Sequence, residues 1–501
     1  MGSSQKEACG GLEWRVRAND GDSRTLAPES AGPLGKAWVC VVLSGLMWKV
    51  RRFLEKAWGI GIDEPRKVIH CLKVGIALTT VSLFYYMRPL YQGVGGNAMW
   101  AVMTVVVLFE YTVGATLSKS FNRTTATFLA GSLGVGVNWV ATQSGQKFQP
   151  VILGASVFLL ASATTFSRFI PTIKARFDYG ALIFILTFSL VSVSGYRVEK
   201  LLDMANQRLS TIVIGASMCL IISMLICPIW AGEELQLLVT RNMEKLANSL
   251  DACMAEYFND CGNFAGDNDK DSHKVALGYR CVLNSKATED SLANFARWEP
   301  AHGNFSFRHP WKQYLKVTAS MRNCAYCIEA LSGRINAETD QQAPDYIKKH
   351  LSNECLALSS ISSSILRELA INIKSMRTSS TIHSSVEELN RAVEDIQSAL
   401  KSLPNRLIPP HLPITKAPET EHRPSITSSI PLIEVLPLAT VASLLIEIAA
   451  RIQPLVNVVD KLANSAGFKP AESENSNQSQ STKEPTSECQ NHEALKVLQQ
   501  V

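Results

Sequence analysis

The sequence predicts an all-α membrane protein, six transmembrane helices followed by a helical cytosolic domain. Two observations carry this expectation. Six apolar stretches follow one another between Arg66 and Glu234, each near the length that crosses a bilayer, with cations at most of the breaks. From Ala231 onward the chain turns to charged sequence with apolar residues at helical spacing.

The spans follow from length. A hydrocarbon core of about 30 Å takes about 20 residues at about 1.5 Å each. The transmembrane region, 67–232, divides into spans at 68–87, 98–117, 124–141, 151–166, 179–194 and 209–230. Lys73 lies inside the first and Glu110 inside the second. The third is rich in Gly and Ala. Backbone polar groups in lipid must bond within their own segment, so these runs are helices. In a soluble core, six such runs would leave few amphipathic faces to meet water.

Ahead of the spans, residues 1–35 are polar and predicted to be disordered, with no secretory signal. Met1–Lys6 nearly matches the myristoylation pattern, but Lys6 stands where Ser or Thr is required. Residues 36–66 mix Trp38, Val41 and Leu46 with Lys49, Arg51, Arg52 and Lys56. This suits an amphipathic helix, lying on the inner membrane surface or packed on the cytosolic domain.

Orientation follows from charge. Arg51, Arg52, Lys56, Arg66 and Lys67 precede the first span; Lys119 and Arg123 occupy the second break, and Arg168, Lys174 and Arg176 the fourth. These regions share one side if the spans alternate. The opposite side holds Arg88, Lys147 and a last loop in which Glu199 and Asp203 offset Arg197, Lys200 and Arg208. The excess places both termini in the cytosol.

The cytosolic part divides into a helical domain at 233–402, a Pro-rich connector at 403–428, a helix at 429–466 and a disordered tail at 467–501. Residues 430–462 are apolar enough for a seventh span, but Glu434, Pro437, Glu447 and Arg451 favour a core helix. The block Trp298–Tyr314 is read as a rigid loop, with Trp298, Phe305 and Trp311 filling the domain core.

Composition and motifs exclude several classes. A net charge of +5 is too mild for a nucleic-acid binder. The twelve cysteines are scattered, and Cys324 and Cys327 form a CxxC with no second pair, so no zinc site is expected. No nucleotide loop, GxSxG or HExxH is present, so no enzyme and no cofactor is expected.

What remains is anion passage. Charge inside hydrocarbon is costly and usually faces a partner or a water-filled path. Lys73 either lines such a path or snorkels to the surface. Arg123 begins the third span from inside and Arg208 the sixth from outside, so the two guanidiniums stand near opposite mouths, as carboxylate ligands or as interfacial anchors. Glu110 is an intramembrane carboxylate that pairs with one of these cations. Met103 lies about two turns before Glu110 and either constricts the path or packs. A channel is the leading reading. A proton- or ion-coupled organic anion carrier is the alternative, and a membrane-anchored scaffold the third.

Several stretches resemble the plant aluminium-activated malate transporter family, whose members are anion channels. They are Asp63–His70, Gly96–Val107, Gly114–Leu117, Asn122–Arg123, Phe177–Gly180, Arg208–Thr211, Cys227–Leu235, Trp298–Gly303 and His309–Tyr314. The likeness runs from about residue 50 to 465. It implies a homodimer in membrane lipid that conducts malate and inorganic anions through a pore lined by both subunits. It implies Arg123 and Arg208 as pore arginines and Met103 as a constriction. Pro228, Trp230, Gly232 and Glu233 match a segment proposed in the family to sense GABA, and Glu199 and Asp203 match an acidic pair of aluminium-responsive members. The loop Pro89–Asn97 lacks the acidic residue those members carry, which puts aluminium activation in question. The extended N-terminus and Phe177–Gly180 look like a branch of the plasma membrane or endomembranes rather than the vacuole.

Overall fold

A computed structural model describes residues 33–86, 98–145, 147–195, 201–258, 275–337, 345–406 and 432–470. The regular secondary structure of the described residues is helical apart from two two-residue strands, Arg377–Thr378 (β1) and Lys469–Pro470 (β2), paired in parallel. The loop Pro89–Asn97, residues 1–32, 407–431 and 471–501 lie outside these residues; the start of the expected connector, 403–406, is helical, and the start of the expected disordered tail, 467–470, is described and carries β2.

Helix α1 (Pro33–Asp63) belongs to the first of two units, residues 1–69. Within it Arg51 pairs with Glu55 at 2.9 Å, and Arg52 stacks over Trp48 at 3.9 Å. Trp48, Phe53 and Trp58 are all exposed.

Among the described residues, the helices between α1 and the C-terminal bundle are α2 (Pro65–Tyr86), α3 (Ala98–Leu108), α4 (Val113–Gln143), α5 (Gln149–Ser167), α6 (Pro171–Gly195) and α7 (Leu201–Leu225). Segments 149–167, 171–194 and 208–225 are long and apolar enough to cross a membrane. In α5 only Leu153 is buried, while Phe158, Leu159 and Phe166 are exposed. A helix apolar on all sides with almost no burial within its own chain needs lipid or another subunit around it. Ala77 and Val81 of α2, Ala101 and Val105 of α3, and Ala216 and Cys219 of α7 form one small core. Helix α4 packs on α6, where Gly134 meets Val191.

Several boundaries depart from the sequence expectation: the fifth span, expected at 179–194, starts at Pro171, the sixth, expected at 209–230, runs Leu201–Leu225, and the second and third differ most. The second span, expected at 98–117, ends at Leu108, and the break falls at 109–112 rather than at 118–123. A single helix then runs from Val113 through Gln143. The charges that suggested a break are accommodated inside the helix. Lys119 pairs with Glu110, Asn122 Nδ2 donates to the Arg176 carbonyl at 2.9 Å, and Arg123 Nη1 donates to Tyr179 Oη at 2.9 Å. Thr112 supplies the start signal instead. Its backbone is extended (φ −107°, ψ 150°) and its hydroxyl accepts from Ala115 N, an N-cap.

The C-terminal bundle contains α8 (Ala231–Phe258), α9 (Tyr279–Asn284), α10 (Lys286–Ala296), α11 (Trp311–Ala337), α12 (Asp345–Ser375), α13 (Ile382–Arg406) and α14 (Leu432–Ala466). Their apolar faces share one core, from Ala231 and Leu235 to Leu455 and Leu462. Helix α14 has the length and hydropathy of a span, yet Leu438, Val441, Leu445, Ile452 and Leu455 are buried in this core against α11, α12 and α13. A buried polar cluster fixes α8, α10 and α11. Arg322 Nη1 donates to Glu289 Oε2 at 2.6 Å, Ser285 Oγ to Glu289 Oε1 at 2.6 Å, and Asn242 Nδ2 to Ser285 Oγ at 3.1 Å.

Gly134→Val is expected to weaken the α4–α6 contact, because an added Cβ would lie 2.8 Å from Val191 Cγ1. Overpacking of this kind costs about 1–3 kcal/mol. Gly131→Ala is the control: an added Cβ there has nothing within 4 Å. Thermal unfolding of the purified protein should show a lower midpoint for the first and an unchanged or higher one for the second.

Candidate functional site

Arg123 and Arg208 line one cavity of about 40 Å³, together with Trp100, Thr127, Thr187 and Thr211 and the apolar Ile183, Leu186, Leu190 and Ile212. The sequence reading stood them at opposite mouths. The helix boundaries decide otherwise. Helix α4 starts at Val113, so Arg123 lies about 15 Å along it, and α7 starts at Leu201, so Arg208 lies about 10 Å along that helix. Arg208 stacks on Trp100 at 4.4 Å, Arg123 Nη1 is held by Tyr179, and Arg123 Nε is buried without a partner. No carboxylate lines the cavity, and among the described residues neither arginine is in an ion pair. Tyr179, assigned no role from sequence, positions Arg123; no local pattern names its partner, which lies on another helix.

Other candidates sit elsewhere. Lys73 is only 2% exposed, and its ammonium donates to the Cys227 carbonyl at 2.7 Å. Cys227 has φ +41°, a left-handed residue just after α7. Lys73 therefore holds the end of α7 and neither snorkels nor joins the arginine cavity. Glu110 lies outside any helix, in the break after α3, paired with Lys119. Met103 is 54% exposed on α3 and does not line the cavity. Glu199 and the side chain of Asp203 lie outside the described residues.

The segment from Pro228 to Glu233 forms a joint. Trp230 stacks on His302 at 3.9 Å. Ala231 N donates to Glu299 Oε1 at 2.6 Å, Gly232 N to Glu299 Oε2 at 3.1 Å, and Gly114 N to Glu299 Oε1 at 3.1 Å. One carboxylate thus caps both α4 and α8. Val113 N donates to the Ile229 carbonyl at 2.9 Å, and Thr112 takes Ala115 N and Thr116 N, so the first four N–H groups of α4 all have acceptors. Close approach is possible because Gly114 and Gly232 lack side chains: a Cβ on Gly114 would lie 2.8 Å from Glu299 Oε1, and one on Gly232 2.8 Å from Trp311 Cζ2. Glu233, in the first turn of α8, carries its charge at the same positive helix end.

The block read as a core-filling loop divides. Phe305 and Trp311 are buried in the bundle core, whereas half-buried Trp298 meets Phe121 of α4 at 5.3 Å. Burial pushes the Glu299 carboxyl up from its ordinary range, while the three backbone amides and His302 pull it back. Burial lowers His309 from 6.5 to about 4, with His302 adding to the effect. Its Nε2 lies 3.2 Å from Tyr314 Oη.

Glu299→Ala should lower the thermal unfolding midpoint more than Glu299→Gln. The first leaves three buried N–H groups without an acceptor, at about 1–3 kcal/mol each, and the second keeps one carbonyl oxygen. His309 sets a pH dependence. Unfolded, it takes a proton below about 6.5; folded, only below about 4. Stability from this group is therefore full above 6.5 and lost as pH falls toward 4. His309→Gln should flatten the midpoint-against-pH curve in that window.

The profile of the family described as Aluminium activated malate transporter matches residues 58–411 and 412–463. Aluminum-activated malate transporter 10 of Arabidopsis thaliana is 53% identical over 480 residues, 92% of this chain and 96% of the relative. Aluminum-activated malate transporter 2 of Arabidopsis thaliana is 42% identical, covering 84% of this chain and 80% of its own length. Aluminum-activated malate transporter 1 of Triticum aestivum is 40% identical, covering 85% and 88%. These relatives are named as transporters rather than enzymes. On the profile match and on identity across most of its length, the chain belongs to the aluminium-activated malate transporter family of membrane proteins.

Proposed function

We propose that the protein is an anion channel that conducts malate and inorganic anions, with Arg123 and Arg208 as the charged ligands of the path. The observation that carries this reading is the cavity they share. Two guanidiniums from different helices face one space with no acidic group in its lining. Leaving such charge uncompensated in an apolar layer costs several kcal/mol, so an anion is the natural counter-charge. A space of about 40 Å³ has room for about one water or small ion, so malate requires the helices to part.

In the same reading the chain crosses six times, with α3, 11 residues and about 16 Å long, covering only part of the second crossing; both termini are cytosolic, and the C-terminal bundle is the cytosolic domain. The membrane is the plasma membrane or an endomembrane. Two copies build the pore. Exposed Met103 on α3 faces the shared path and narrows it. Lys73 is engaged with Cys227 and supports the pore helices instead of contacting the anion.

Arg123→Ala and Arg208→Ala should each reduce malate and chloride currents at least tenfold in voltage-clamped oocytes without loss of surface protein. Tyr179→Phe should reduce them less, because only the positioning of Arg123 is lost. Unchanged currents in both arginine variants would remove these residues from the path. A saturable flux tied to protons, without unitary currents, would replace the channel with a coupled carrier.

A further inference from the structure

A second cluster of unpaired cations lies in the segment 297–313, between α10 and the first turn of α11. It borders a cavity of about 470 Å³, far larger than the space between Arg123 and Arg208. Arg297, Arg308, Lys312, His302, His309 and Gln313 are among its lining residues. Among the described residues none of these three cations is in an ion pair, and Arg176 adds like charge near Arg297. Glu299 is the one carboxylate of the lining, and its oxygens already accept three backbone N–H groups.

Three buried polar atoms of the lining have no partner: His302 Nε2, His309 Nδ1 and Gln313 Oε1. His309 is only 5% exposed. Buried polar atoms are nearly always hydrogen-bonded, so three orphans sealed behind one cavity wall leave the segment free to rearrange around a guest. Arg308 has φ +67°, a left-handed conformation that a non-glycine residue adopts at a cost and that clusters at ligand clamps. Phe305, Phe307 and Trp311 give the cavity aromatic walls.

We infer that this cavity is a second anion site, taking a small dianion, either a dicarboxylate or a phosphate, and that its occupancy biases the pore. The three cations supply the opposite charge, and the free ring nitrogens of His302 and His309, sealed behind the wall, become available to the guest only as the segment shifts. Gln313 offers an amide, whose oxygen and nitrogen are interchangeable by a flip. The volume falls within the ordinary range for metabolite sites.

The pore half of the inference rests on the channel reading above. It follows the covalent and hydrogen-bonded route from the cavity. Glu299 lines the cavity and holds the N-termini of α4, which carries Arg123, and α8, which follows α7 and Arg208. Trp311 also lines it and packs against Gly232. A guest that draws in this segment moves both helix caps together.

Thermal unfolding of the purified full-length protein, titrated separately with malate and with inorganic phosphate, tests the site. One of the two should raise the midpoint with dose. The pair Arg308→Gln and Lys312→Gln, both at exposed positions, should weaken that effect at least tenfold while leaving the ligand-free midpoint unchanged. Arg123→Ala should retain it. The arm that responds separates a carboxylate ligand from a phosphate. A shift kept in the double variant but lost in Arg123→Ala would put the anion in the pore alone and overturn the site, as would no shift with either anion. Currents test the coupling: the dependence on the responding anion, applied from the bundle side, should vanish in the double variant while basal current remains. A dependence that is unchanged overturns the coupling. A wild-type chain without current removes the coupling and the channel reading together, while the binding titration still decides the site.

Discussion

The Glu299 carboxylate holds together two helix starts that lie far apart in the chain. Gly114 opens the helix carrying Arg123, and Ala231 and Gly232 open the bundle. Burying a carboxylate costs several kcal/mol. Hydrogen bonds to a charged group return about 1.5–3 kcal/mol each, and each helix N-terminus adds about 0.3–1 kcal/mol. The terms are of the same order, so the joint is favourable only while all three donors stay in place. That dependence makes it a point where a change on the bundle reaches the apolar helices.

Geometry around the joint follows from this constraint. Gly114 lacks the side chain that would meet Glu299 and Gly232 the one that would meet Trp311, while Ala231 donates to the same carboxylate with its methyl group in place. The stack of Trp230 on His302 and the tilted contact of Trp298 with Phe121 add aromatic surface around it. Lys73 performs a similar task on the other side of the link by taking the carbonyl of left-handed Cys227 at the end of α7. Two buried charged side chains therefore satisfy the helix ends flanking the 226–230 link, each by hydrogen bonds to backbone. Arg123 and Arg208, by contrast, have no carboxylate in the lining of the cavity that they share.

The two basic cavities differ in a way that matters for their chemistry. The space between α4 and α7 is small and walled by Ile, Leu and Thr, so it suits transient contact with a partly dehydrated ion. The space along 297–313 is large, aromatic and open to solvent at Phe307, so it suits retention of a hydrated guest. A path must let its ion leave. A regulatory site must hold it.

Sequence by itself determined the helical class, the apolar block and the change of pattern near Ala231, because length and periodicity are local properties of the chain. It also singled out Arg123 and Arg208, since charge within apolar sequence is conspicuous wherever it falls. Tertiary structure decided what these residues touch. The break moved from 118–123 to 109–112 because Lys119, Asn122 and Arg123 find partners on neighbouring segments and the helix runs through them. Arg123 and Arg208 converge on one cavity because the starts of α4 and α7 set their depth. Glu299, read only as part of a rigid loop, became the cap of two helices. Its donors lie about 70 and 185 residues away in sequence, and no periodicity carries information across such a distance.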